Sequence, residues 1–214
     1  MVRSLLCLHG SGGSSAEWAK LNNWAKLARI ELSAIDAPSG NGKWWTYPPG
    51  QRSFTASSYS GAEESIALVE SELRKGGHAG VMGFSQGAML AAIVAARSAL
   101  GESGSVPLKC AVLCAAAIPK PYEPLLHRLR DAPDDAKVLF PTLHTLCRAD
   151  PMNPSSMGED VASCFEPLAD VMWHEDGHAI PPLAAAAADA MGPSSTSMAD
   201  VAAWLDRVVL EDGS

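Results

Sequence analysis

One pentapeptide restricts the possible folds of this 214-residue chain more than any other feature: Gly83-Phe84-Ser85-Gln86-Gly87. A short apolar run at residues 79–82 precedes it, and a long alanine-rich apolar segment at residues 86–100 follows it. This pattern predicts a strand, a tight turn and a helix, because the two glycines let the backbone close without side-chain clashes. Such a turn strains the serine between them and exposes its hydroxyl as a candidate nucleophile.

The rest of the chain repeats the alternation of strand and helix. Short apolar runs predict strands at residues 4–8, 30–35, 79–82, 109–115, 142–146 and 169–173. Apolar residues at helical spacing predict helices at residues 16–29, 60–75, 86–100, 121–130, 155–165, 184–188 and 197–210. We therefore expect one α/β domain over residues 1–214, with a mostly parallel central sheet and helices on both faces.

Composition excludes several classes of protein. Hydrophobic residues make up 47% of the chain and charged residues 19%, which excludes intrinsic disorder. The formal net charge of −8 argues against binding to nucleic acid or to an anionic membrane surface. No apolar stretch is long enough for a membrane span, so we expect no stable membrane insertion.

The five cysteines and the N-terminal residues bear on the compartment. The cysteines form no C-x-x-C pair, and Cys7, Cys110 and Cys114 lie within apolar runs, which predicts buried, reduced thiols. The apolar run near the N-terminus ends at His9-Gly10, too early for a signal peptide. Both observations favour a cytoplasmic location.

A serine nucleophile needs a base, and the base needs an acid to orient it. In an open parallel sheet, functional groups gather beyond the carboxyl ends of the strands. Ser85, Asp150 and His178 each follow a different predicted strand, and they occur in the order found in α/β-hydrolases. We interpret them as nucleophile, acid and base. His9 also follows a strand, and we expect it to make a hydrogen bond that braces the glycine-rich loop after it.

Other residues of similar chemistry fit the site less well. His144 lies inside a strand, which indicates a structural role, and His174 at the end of the last strand is either structural or a support for the site. Asp170 lies at the start of its strand and would therefore be at the wrong edge. The segment from His174 to His178 matches the zinc motif H-E-x-x-H, but that chemistry needs both histidines on one helix, and this segment follows a strand. We expect no metal.

Two backbone N–H groups are needed to stabilise the oxyanion of an acyl-transfer reaction. The N–H of Gln86 directly follows the nucleophile and is one candidate. The second should come from the glycine-rich loop after the first strand, where Ser11 is our choice and Gly12 the alternative. This loop narrowly misses the dinucleotide pattern G-x-G-x-x-G, since Ser15 occupies the sixth place. We therefore expect no organic cofactor.

Several motifs in order resemble those of the FSH family of serine hydrolases, which includes ovarian-tumour-associated esterases and polyketide-releasing thioesterases of fungi. They are Leu6-Cys7-Leu8-His9-Gly10, Asp36-Ala37-Pro38, Trp44-Trp45, Tyr59-Ser60-Gly61-Ala62-Glu63-Glu64-Ser65, Gly83-Phe84-Ser85-Gln86-Gly87-Ala88, Leu143-His144 leading to Asp150, and His174-Glu175-Asp176-Gly177-His178-Ala179-Ile180-Pro181. The resemblance implies an esterase or thioesterase whose Ser-Asp-His triad corresponds to Ser85, Asp150 and His178. The chain departs from the family pattern at Cys147 and Asp176, where glycines are usual, and at residues 115–117.

The predicted function is hydrolysis of small carboxylic esters or thioesters through an acyl-enzyme on Ser85. The rival hypothesis is a ligand-binding module that keeps the fold without catalysis. Four aromatic side chains are candidates for the acyl pocket: Trp44, Trp45, Tyr47 and Phe84. The alternative for those in the long loop at residues 36–59 is that they anchor this loop to the body of the protein.

Overall fold

A computed structural model describes residues 3–27, 29–182 and 196–210. Its strands are β1 Arg3–Leu8, β2 Ile30–Ile35, β3 His78–Phe84, β4 Cys110–Cys114, β5 Thr142–Cys147 and β6 Ala169–His174. Its α-helices are α1 Asn22–Leu27, α2 Ala62–Arg74, α3 Gln86–Ala99, α4 Glu123–Asp131, α5 Ser155–Ser163 and α6 Met198–Leu210. Short 3-10 helices occupy Ser15–Leu21, Lys120–Tyr122 and Asp134–Ala136. The predicted helix at residues 184–188 lies outside the described residues.

The six strands form one sheet in the order β2-β1-β3-β4-β5-β6, and every neighbouring pair is parallel. The central strands are buried on both sides, which explains why they read as continuous apolar runs in the sequence. Because all strands run the same way, their carboxyl ends meet at one edge of the sheet. The predicted parallel sheet is confirmed.

Helices cover both faces of this sheet, as predicted. Successive side chains of a strand point to opposite faces. Leu6 and Leu8 therefore belong to the core cluster that also contains residues of α2, α3, α4 and α5, whereas Leu5 and Cys7 belong to the cluster on the other face, with residues of α1 and α6. Helix α3 is almost wholly buried, and its run of small alanines lets it lie close to the sheet.

The segment at residues 16–29 differs from its prediction as one helix. It begins as a 3-10 helix over Ser15–Leu21 and continues as α1. Trp18 and Leu21 are both buried, and their separation of three residues equals one turn of a 3-10 helix, so both indole and leucine side chains reach the core.

In the parts of the chain that the structure describes, no helix has the length and apolar character needed to cross a membrane.

All five cysteines are buried thiols. Burial raises the pKa of the Cys7 thiol, and it raises that of Cys114 to about 12. A thiol held in its protonated form is a poor nucleophile, so these side chains act as small core residues.

Candidate active site

Ser85 occupies the tight turn between β3 and α3 with φ 54° and ψ −117°, a strained conformation for a residue other than glycine. The turn is possible because the flanking positions have no side chain. A Cβ on Gly83 would lie 2.3 Å from the carbonyl oxygen of Gly87, and a Cβ on Gly87 would lie 2.2 Å from that of Leu8. Gly83 therefore lets the turn close onto the start of α3, and Gly87 lets α3 approach the end of β1, which agrees with the predicted need for both glycines.

The structure brings together the three polar residues predicted for this edge of the sheet. His178 Nε2 lies 2.8 Å from Ser85 Oγ, and His178 Nδ1 lies 2.8 Å from Asp150 Oδ2. An ionised carboxylate only accepts hydrogen bonds, so Nδ1 carries the imidazole proton. This tautomer leaves a lone pair on Nε2, which accepts the hydrogen bond that the hydroxyl of Ser85 donates.

Asp150 is held by the loop that follows β5. Its Oδ1 accepts hydrogen bonds from the backbone N–H groups of Met152 at 2.7 Å and Asn153 at 3.0 Å. Asn153 in turn donates from Nδ2 to the carbonyl oxygen of Ala115, which adopts a positive φ of 52° at the end of β4. The Asp150 side chain is only 3% exposed, so its carboxylate has one orientation, toward His178.

His178 lies in the loop after β6, where Gly177 takes a φ of 67°. The ring of Phe84 packs against the imidazole at a centroid distance of 5.1 Å. Four residues earlier, His174 is fully buried at the end of β6, and its Nδ1 accepts a hydrogen bond from the N–H of Asp176 at 3.2 Å. Burial lowers the pKa of His174, which keeps this ring neutral and able to accept that bond.

The segment from His174 to His178 thus consists of a strand end and a loop, so the two rings do not share a helix face. Over the residues that the structure describes, no three His, Cys, Asp or Glu side chains are grouped as metal ligands would be. His144 fits its structural prediction: it is fully buried on β5, its Nε2 lies 3.1 Å from Thr142 Oγ1, and burial lowers its pKa to about 3.

Within the described ranges, the backbone N–H groups of Ser11 and Gln86 donate to no acceptor, and the same holds for the next N–H groups in the first turn of α3. The alternative donor, Gly12, already donates its N–H to the carbonyl oxygen of Gly42 at 2.7 Å. Of the two candidates in the glycine-rich loop, Ser11 is therefore the one whose N–H remains available to a ligand.

The four candidate aromatic residues lie in different environments. The side chains of Trp44 and Trp45 are only 1% and 2% exposed, which favours the anchoring alternative for both. Trp45 stacks on Tyr59 at a centroid distance of 4.6 Å, and Tyr47 is 37% exposed. Phe84 is half-buried, and its ring lies next to the imidazole of His178.

Two supporting contacts were not predicted from the sequence, and a third was predicted without its partners. The side chain of Gln86 bonds to the backbone of residues 44 and 45, although only its backbone N–H was considered. Asn153 braces the acid loop; the Asp-x-x-Asn spacing from Asp150 is the signal for such a turn. The predicted bracing role of His9 takes a definite form: its Nε2 accepts from the N–H of Ala37 at 3.1 Å, and its Nδ1 donates to the carbonyl of Gly10 at 2.7 Å.

Comparison with known proteins identifies the family and the fold. A sequence profile described as "Serine hydrolase (FSH1)" matches residues 16–189. Esterase OVCA2 of Danio rerio is 32% identical over 143 residues, which span 64% of this chain but only 60% of that protein. Esterase C25G4.2 of Caenorhabditis elegans is 26% identical over 199 residues, covering 83% of this chain and 86% of that protein. Acyl-protein thioesterase 2 of Zea mays, a solved structure, shares the α/β-hydrolase fold with a TM-score of 0.73 at 21% identity, covering 97% of this chain and 94% of that chain.

Proposed function

This chain belongs to the FSH1 serine hydrolase family, and on that basis we propose that it hydrolyses carboxylic esters or thioesters through an acyl-enzyme on Ser85. The observation that carries the proposal is the continuous hydrogen-bonded chain from Ser85 through His178 to Asp150, with 2.8 Å at each step. A hydroxyl is a weak nucleophile until a base within hydrogen-bonding reach removes its proton, and this chain supplies that base and its orienting acid.

In the first half of the reaction, Ser85 Oγ attacks the carbonyl carbon while its proton moves to His178 Nε2. The carbonyl oxygen becomes negatively charged and accepts hydrogen bonds from the N–H groups of Gln86 and Ser11. The imidazolium is stabilised by the carboxylate of Asp150. When the tetrahedral intermediate collapses, the bond to the leaving group breaks, and His178 returns the proton to the departing alcohol or thiol.

In the second half, water attacks the acyl group on Ser85. His178 now takes a proton from that water, and a second tetrahedral intermediate forms at the same two N–H groups. Its collapse breaks the bond to Ser85 Oγ, which recovers its proton from His178, and the free carboxylic acid leaves. The cycle uses only groups of this chain and water.

The substrates that we propose are small esters or thioesters with an apolar acyl group. Phe84 lies against the imidazole of His178, so an acyl chain bound at Ser85 would contact its ring. Tyr47 is partly exposed on the loop anchored by the buried indoles of Trp44 and Trp45, and we propose that it extends this apolar surface.

The test is hydrolysis of p-nitrophenyl esters from acetyl to palmitoyl, with a matched thioester measured alongside. Wild type is compared with Ser85→Ala, and a fluorophosphonate probe reports whether Ser85 is nucleophilic. We expect turnover and labelling in the wild type and neither in Ser85→Ala. The preferred chain length then measures the depth of the acyl pocket.

Two other results would each overturn the proposal in a different way. A wild-type protein that neither hydrolyses the esters nor reacts with the fluorophosphonate would be a binding module that keeps the hydrolase fold. Turnover that survives in Ser85→Ala and is lost with a chelator would instead assign the chemistry to a metal bound by His174 and His178.

A further inference from the structure

The two proposed oxyanion donors, the N–H groups of Ser11 and Gln86, belong to different elements of the fold. Ser11 lies in the loop after β1, and Gln86 begins α3. An oxyanion hole works only when both donors point to one spot, and a misplacement of about 1 Å costs about 10²-fold in rate. Some part of the molecule must therefore fix the position of one donor relative to the other.

A single short stretch contacts both sides. Residues 42–45, Gly42-Lys43-Trp44-Trp45, are called the tryptophan segment below. Toward α3, the N–H of Trp44 donates to Gln86 Oε1 at 3.0 Å, and Gln86 Nε2 donates to the carbonyl oxygen of Trp45 at 3.0 Å. The side-chain amide of Gln86 thus makes two hydrogen bonds to the backbone of the tryptophan segment. The backbone N–H of this same residue is one of the two proposed oxyanion donors.

Toward the glycine-rich loop, the tryptophan segment makes two further hydrogen bonds. The indole Nε1 of Trp44 donates to the carbonyl oxygen of His9 at 2.8 Å, and the carbonyl oxygen of Gly42 accepts from the N–H of Gly12 at 2.7 Å. These two bonds hold the loop on either side of Ser11. The backbones are so close that a Cβ on Gly42 would lie 2.4 Å from the carbonyl oxygen of Gly13.

The tryptophan segment is itself firmly held. Both indoles are buried, and Ser65 Oγ on α2 donates to the carbonyl oxygen of Trp44. The imidazole of His9 packs against the indole of Trp44 at a centroid distance of 4.9 Å. Buried hydrogen bonds of this kind are costly to break, because each broken one leaves an unpaired polar group in the core.

We propose that the tryptophan segment is the positioning element of the oxyanion hole: it sets where the N–H of Ser11 lies relative to that of Gln86. This inference rests on the function proposed above. Neither tryptophan needs to touch the substrate for this role, because both act through the backbone of the residues that they hold.

The decisive variant is Trp44→Phe, which keeps an aromatic ring in the core and removes the indole N–H. Its matched control is Trp24→Phe. Trp24 is also buried and donates its indole N–H to a backbone carbonyl, that of Met198 at 2.5 Å, but it lies on α1, on the other face of the sheet. Both variants lose the same kind of hydrogen bond, so we expect similar decreases in melting temperature.

Only Trp44→Phe should impair catalysis. We expect kcat and kcat/KM to fall together by about tenfold, because the donor is displaced and not removed. The affinity for phenylboronic acid, which forms a tetrahedral adduct on the serine oxygen, should fall by the same factor. Gln86→Met, which removes both amide bonds and leaves the backbone N–H in place, should lower kcat by about 10²-fold.

Several outcomes would overturn the proposal. If Trp44→Phe and Trp24→Phe have equal kcat and equal boronic acid affinity, the tryptophan segment is core packing and nothing more. A change confined to KM would also contradict it, since a direct contact of Trp44 with substrate would then be the better explanation. Ser85→Ala, measured in the same experiment, distinguishes a failure of the proposed function from a failure of the positioning role. Turnover in Ser85→Ala near the wild-type rate overturns the proposed function, whereas a Ser85→Ala variant that loses almost all turnover, beside equal kcat in the two tryptophan variants, overturns only the positioning role.

Discussion

Replacing Asp150 by asparagine tests the proposed acid most directly, because the substitution changes only one of its three hydrogen bonds. Asp150 Oδ1 accepts from the N–H groups of Met152 and Asn153, and an asparagine oxygen can keep both of these bonds. The other oxygen faces His178 Nδ1 at 2.8 Å and becomes an NH₂ group. Two donors would then face each other, so the imidazole must move its proton to Nε2.

A ring protonated on Nε2 has no lone pair for the hydroxyl of Ser85 and cannot act as the base. In serine proteases the same change in tautomer lowers kcat by about 10⁴-fold. Each factor of ten corresponds to about 1.4 kcal/mol, so the expected increase in the activation barrier is about 5.5 kcal/mol. The free energy of unfolding should change by less than about 1 kcal/mol, because the loop after β5 keeps its turn.

The assay is kcat for the preferred p-nitrophenyl ester, together with urea unfolding of each variant. Asp176→Asn is the matched control: this carboxylate is 45% exposed, lies 3.7 Å from Nδ1 of the buried His174, and precedes His178 by two residues. We expect it to retain wild-type kcat. Activity within tenfold of wild type in Asp150→Asn, or a large loss in Asp176→Asn, would refute the assignment of the orienting acid.

Three further predictions concern the body of the fold. Gly87→Ala should lower the free energy of unfolding by about 3 kcal/mol, because its methyl group would meet the carbonyl of Leu8; Gly40→Ala, whose methyl group would meet no described atom within 4 Å, should be neutral in the same urea titration. Burial lowers the pKa of His144 from 6.5 to about 3. Between these two pH values, His144 therefore binds a proton in the unfolded chain and stays neutral in the folded one. Stability should therefore decrease toward pH 3 by up to about 1.4 kcal/mol per pH unit, and His144→Leu should flatten that slope in urea titrations at several pH values. Iodoacetamide should leave native protein unmodified and react with the buried thiols, Cys7 among them, only in denaturant; rapid modification of native protein would contradict their burial.

The strands and most helices could be predicted because each depends on local pattern. Buried parallel strands are short apolar runs, and Ile30–Ile35 is found with the bounds that its sequence predicts. The division of residues 16–29 between a 3-10 helix and α1 was not predicted, since Trp18 and Leu21 fit either kind of helix. Only the packing of both side chains into the core distinguishes the two.

The candidate site was predictable for residues that directly follow a strand, because the end of the strand fixes their position. Asp150 and His178 follow β5 and β6, so topology alone brings them to the edge that holds Ser85. The environment of Trp44 could not be predicted, because its partners Gln86 and His9 are distant in the chain. Sequence alone does not distinguish an indole that lines a pocket from one that braces a loop.

The order of the strands has a consequence for how such a protein acquires activity during synthesis. Ser85 follows β3, whereas Asp150 and His178 follow β5 and β6, the last two strands of the described residues, which lie at one edge of the sheet. A nascent chain that has folded only through β4 holds a strained serine with no base beside it. The proposed hydrolytic activity would then appear only when β6 docks, so it would report that the sheet has been assembled through β6. A chain that stalls or is cleaved before β6 would lack the proposed hydrolytic activity.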